Sequence, residues 1–150
     1  MALVPAMNII GNVAAGQLLH RGAEPGTLLI TGFAVMALGA WLAFAGLELS
    51  TAVRYGGMLL FSLFGGLVPG TLFALVPRLA PDGSLISSTV GWMLQGSSLG
   101  QFSGPPAVAW LSGLVGGWHW TWAATGACAV LGCLLATRFG RLRSGSPVRR

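Results

Sequence analysis

The stretch Ser84–Trp110, SLISSTVGWMLQGSSLGQFSGPPAVAW, decides how this chain is to be read. It is too apolar for a surface helix in water and too polar for a helix that faces only lipid. At 100° per residue it separates into two faces. Ser84, Ser88, Gly91, Gln95 and Ser98 form a polar stripe, with Gln101 at its edge. On the opposite side Gly96, Gly100 and Gly104, four apart, form a ridge without side chains, and Pro105-Pro106 follows. Overlapping small-xxx-small spacings let another backbone approach closely. The rest of the chain reads as apolar helices packed around this one.

Composition names the solvent. Of the 150 residues, 54% are hydrophobic and 7% charged, against about 25% charged in soluble domains. A chain this poor in charge cannot cover its own surface in water, which points to the bilayer. The net charge of +5 comes from arginine alone. The arginines sit mostly in loops and the tail, a pattern of membrane topology rather than of a phosphate-binding face, so no nucleic-acid partner is expected. The first residues, MALVPAMNII, lack the basic region of a cleavable signal.

Five apolar runs are long enough to span a bilayer, which takes roughly 20 residues. They cover residues 3–19, 27–47, 55–76, 84–114 and 118–137. Lipid admits only helices or closed barrels, and the runs lack period-two alternation. The expected fold is therefore all-α: a polytopic membrane protein of about five transmembrane helices over residues 1–138, with a basic tail over 139–150. Helix one opens in apolar sequence without a polar flank, so the chain reads as the carboxy-terminal part of a longer protein or as a truncated gene product. Arg21, Arg78, Arg138, Arg141, Arg143, Arg149 and Arg150 fall on one side and Arg54 alone on the other. Arginine excess marks the cytoplasm, which puts the C-terminus inside a cell (plasma or inner) membrane and the N-terminus outside. Trp118, His119 and Trp120 then make an outer interfacial belt, joined by Tyr55.

The polar residues at depth are the candidates for function. Asn8 and Asn12 lie one turn apart on helix one. An amide in hydrocarbon needs a partner, so the pair either lines a cavity that binds solute or bonds to another helix. In helix three, Pro69 cannot donate to the carbonyl of Gly65 and, among several glycines, predicts a bend that either lines a cavity or is a passive kink. In helix four, Gln95, Ser98 and Gln101 are the best solute contacts. Pro105 and Pro106 free the carbonyls of Gln101 and Phe102. Helices two and five are plain and read as outer helices facing lipid. Cys128 and Cys133 are five apart and read as small packing residues. With two thiols, His20 and His119 in interfacial positions, and Glu24, Glu48 and Asp82 all in loops, the sequence holds no metal site, no cofactor site and no catalytic set. No carboxylate lies mid-membrane, and the chain is not expected to be an enzyme.

Three stretches carry a resemblance. GNVAAGQLLHRGAEPG, Gly11–Gly26, looks like the Gly-x-x-x-Asp-Arg-x-Gly loop between the eighth and ninth helices of the major facilitator superfamily, with His20 where that motif often has an acid. GLVPGTLFALVPRLAP, Gly66–Pro81, is similar to its tenth helix. GWMLQGSSLGQFSGPPAVAWLSGLVGGWHWTW, Gly91–Trp122, resembles its eleventh helix, the Gly-Pro break and the start of the twelfth. The flavour is nearest the cyanate and nitroimidazole transporter-like branch. The resemblance implies a small-solute transporter working by alternating access, with the bilayer, the solute and a further N-terminal half as partners. In that fold the eighth, tenth and eleventh helices face the cavity or the other half, and the ninth and twelfth lie outside. The reading from another class is a non-transporting membrane subunit or scaffold whose glycine ridge binds a partner helix.

Overall fold

The computed structural model describes residues 2–45, 48–80 and 82–144, and these contain no strand. Five helices follow in order: α1 Leu3–His20, α2 Pro25–Phe44, α3 Thr51–Leu79, α4 Ile86–Leu114 and α5 Thr121–Ser144. Single 3-10 turns at Gly83–Leu85 and Trp118–Trp120 lead into α4 and α5. The last helix continues beyond the 137 expected. Residues 145–150 of the basic tail lie outside the described residues, as do the side chains of Arg78, Arg141 and Arg143.

Local chemistry sets the helix ends. At the end of α1 the Ala23 N–H bonds to the Leu18 carbonyl and the Gly22 N–H to that of Leu19, with Gly22 at φ 90°. This is a Schellman cap, which needs a left-handed residue that glycine provides without strain. The same device closes α4: the Gly117 N–H reaches the Ser112 carbonyl and Gly116 takes φ 75°. Pro25 opens α2 at its first position, where no N–H is needed. The Ser50 hydroxyl accepts from the Val53 N–H at the start of α3. Across the same loop the Arg54 Nε donates to the Ala43 carbonyl at 3.1 Å, placing a cation on the negative end of α2.

Among the described residues three helical stretches are long and apolar enough to cross a membrane: Pro25–Phe44, Thr51–Pro77 and Trp118–Arg138. Five were expected. The two that fall short are α1, diluted by Asn8, Asn12 and Gln17, and α4, diluted by its serines, glutamines and glycines. The expected bend at Pro69 does not interrupt α3, which runs unbroken through Pro69 and Pro77. Likewise α4 continues past Pro105 and Pro106 to Leu114.

The packing order is α1, α3, α2, α5, with α3 at the centre. This corrects the expectation that the chain gathers around α4. That helix touches α3 and α5 only marginally and holds no buried residue. It also corrects the reading of α2 as a plain outer helix, because α2 is packed between α3 and α5 and buries Leu29, Gly32, Gly39, Ala40 and Ala43. The physical reason lies in where small residues meet. Five of the nine buried apolar residues among those described are alanines. In lipid there is no hydrophobic drive between apolar helices, so helices associate where small residues let backbones touch.

Candidate functional site

Two glycine seams hold α3 in place. On the α1 side a methyl group on Gly11 would run into the Leu63 carbonyl, and one on Gly66 into the Asn8 carbonyl. One on Gly70 would stand 2.7 Å from the Asn12 carbonyl oxygen and 2.9 Å from the Ala15 Cβ. The helices thus cross with carbonyls of one lying over glycines of the other, a geometry that supplies Cα–H···O contacts. On the α2 side Gly39 and Gly57 face each other, each one's added methyl falling 2.7 and 2.9 Å from the other's carbonyl oxygen. Gly32 meets Val68.

Polar groups finish the α1–α3 seam. The Asn8 Nδ2 donates to the Ser62 carbonyl at 3.1 Å, and the Ser62 hydroxyl donates to the Val4 carbonyl. Asn8 is therefore occupied as a tie between helices. Further along α3, Thr71 is fully buried and its hydroxyl donates to the Leu67 carbonyl at 2.8 Å, within the same helix. Ser62, Gly66 and Gly70 were missed as a set in the sequence, although their spacing of four is the same small-residue signal that marked α4.

Of the other candidates, Asn12 borders this seam, its amide oxygen 2.9 Å from a methyl group built on Gly70, while those of α4 lie away from it. Asn12 is exposed on α1, and among the described residues its amide makes no hydrogen bond. On α4, Gln95, Ser98 and Gln101 are all exposed, and the Gln101 Nε2 donates only to the Ser97 hydroxyl at 3.2 Å. The stripe is not enclosed by another helix of the chain. The glycine ridge is equally open: nothing lies within 4 Å of a methyl group built on Gly96, Gly100 or Gly104. Large apolar side chains of α4 stand out beside both faces, Trp92 at 74% and Phe102 at 84% exposure. Thus α4 presents both its polar stripe and its ridge outward.

The α2–α5 contact is apolar. Gly132 packs under the Phe33 ring, and the Cys133 thiol points toward the Ile30 carbonyl at 3.9 Å. An open groove of about 320 Å³ remains there, floored by Ala34, Ala37 and Ala129, and none of the polar candidates lines it. Among the described residues no three His, Cys, Asp or Glu side chains come together. At the head of α5 the Trp120 and Trp122 rings stack with centroids 6.2 Å apart, and Trp118 and Trp120 are exposed.

Comparisons with protein families, with characterised proteins and with solved structures found no match to this chain.

Proposed function

We propose that the chain is the membrane-embedded part of a small-solute transporter of the major facilitator type, multi-pass in a cell membrane with its C-terminus cytoplasmic. It makes and breaks no covalent bond and takes no cofactor. The observation that carries this reading is the uncovered polar stripe of α4. Gln95, Ser98 and Gln101 have no partner helix in the chain, and amides at membrane depth face protein or water rather than lipid. A second set of helices opposite α4 would convert the stripe into one wall of an aqueous cavity. Asn8, already bonded to the Ser62 carbonyl, holds α1 in place instead of meeting solute. Rocking of the two halves about that cavity then gives alternating access.

The test is water access to the stripe in native membranes. On a background with both cysteines replaced by alanine, Ser98→Cys reacts with an impermeant thiol reagent, and added substrate shifts the side from which it reacts. Protection of Ser98→Cys from both sides would sink the cavity.

The second reading, a scaffold or subunit without transport, draws on the open ridge at Gly96, Gly100 and Gly104. In that case Gly100→Cys cross-links to a partner helix, while Ser98→Cys stays unreactive.

A further inference from the structure

One helix belongs in the bundle by its contacts yet falls short of the apolarity that lets α2 and α3 cross a membrane on their own. That helix is α1. It is 18 residues long, carries two asparagines in its interior, and is not among the stretches apolar enough to cross a membrane. Its immediate neighbour in sequence, α2, is apolar enough by itself, and so is α3. Still, α1 packs on α3 and skips α2.

The contact satisfies one of the two interior amides of α1. The Asn8 Nδ2 donates to the Ser62 carbonyl, and the Ser62 hydroxyl donates to the Val4 carbonyl. Gly11, Gly66 and Gly70 let the two backbones meet, so the carbonyls of Asn8 and Asn12 lie directly against α3. Every one of these partners is on α3, which follows α1 by two helices.

We infer that α1 enters the membrane by docking on α3, and that its insertion waits until α3 has crossed. Until then α1 is held at the surface, where Asn8 and Asn12 keep water as partner. Docking exchanges the water on Asn8 for the Ser62 carbonyl and lays the α1 backbone against the seam. Docking of α1 on α3 is a step of assembly and needs no solute.

The variant to use is Gly66→Leu. It blocks the seam from the α3 side while making α3 more apolar, so α3 still crosses. A leucine at Gly11 would confuse the result by making α1 itself more apolar. Single cysteines at Ala2, Ala23 and Glu48, in full chains lacking Cys128 and Cys133, report which membrane face each position occupies when sealed vesicles meet an impermeant maleimide. With the seam intact, Ala2→Cys and Ala23→Cys label from opposite faces. In Gly66→Leu they label from the same face, while Ala23→Cys and Glu48→Cys remain opposite because α2 still crosses. Gly104→Leu, where nothing is met within 4 Å, leaves all three as in the unaltered chain. Adding Asn8→Leu and Asn12→Leu to Gly66→Leu returns Ala2 and Ala23 to opposite faces, since α1 is then apolar enough to cross unaided. Opposite labelling in Gly66→Leu alone overturns the inference. So does loss of the α2 crossing in that variant, which would mean the seam holds the whole bundle, and so does failure of the two leucines to restore α1.

Discussion

The seam between α1 and α3 and the ridge on α4 are built from the same pattern with opposite outcomes. Ser62, Gly66 and Gly70 repeat every four residues, as do Gly96, Gly100 and Gly104. The first set lies against backbone carbonyls of α1, while the second meets nothing within 4 Å. Small residues therefore permit close packing without choosing a partner. The choice on α3 is made by what surrounds the glycines: a matching Gly11 and Ala15 across the seam, and the Asn8 and Ser62 hydrogen bonds beside it. The α4 ridge has no such counterpart on any helix of this chain.

The strongest way to break the comparison is to fill both patterns with the same side chain. Gly66→Leu forces the α1 and α3 backbones apart. It is expected to cost about 3 kcal/mol or more, at the upper end for overpacking because backbone rather than a side chain must move. Equilibrium unfolding in mixed micelles measures it. If Gly66→Leu were as stable as the unaltered chain, the seam would not be what holds α1.

Hydrogen bonds are the next level. Asn8→Ala and Ser62→Ala each remove one bond across the seam. Each is expected to cost roughly 0.6 to 2 kcal/mol, the range for interhelical polar contacts in membranes. The amide of Asn8 uses the Ser62 carbonyl, not its hydroxyl, so the two bonds are chemically separate. Their closeness still allows coupling, and a double-mutant cycle in the same unfolding assay reads it. Full additivity would mean that the two ties act independently on a seam already fixed by backbone contact.

Much of this was legible in the sequence and some was not. Composition and run length were enough for an all-helical chain and for α2, α3 and α5 as apolar stretches, because those properties are local. Centrality was not local. Ser84–Trp110 stood out because its polar and glycine faces contrast within one helix, whereas α3 hides the same glycine spacing in a uniformly apolar background. Which of two similar ridges is occupied depends on residues more than 50 positions away, such as Asn8 opposite Ser62. Arg54 shows the same limit at a loop. Its charge was readable as a topology marker, but its use as a cap on the Ala43 carbonyl required the geometry of two helix ends. Replacing it with glutamine is expected to cost about 0.3 to 1 kcal/mol, the scale of a helix-terminus charge, read as a lowered unfolding midpoint that shrinks at high salt.

The smallest effect is expected where the pattern looks strongest. Gly100→Leu adds a side chain that meets nothing in this chain and replaces a residue of low helix propensity. The stability of the isolated chain should change by less than about 1 kcal/mol, and in the favourable direction. A null result there, beside a large loss in Gly66→Leu, would establish that the fold of this chain does not use the α4 ridge. The same variant then separates the two uses left for α4. If the ridge receives a helix from elsewhere in the membrane, Gly100→Leu abolishes that association while the chain itself stays folded, because a leucine blocks the close approach that three glycines allow. If association persists, the contact surface of α4 is its polar stripe, and Gln95, Ser98 and Gln101 become the residues to replace.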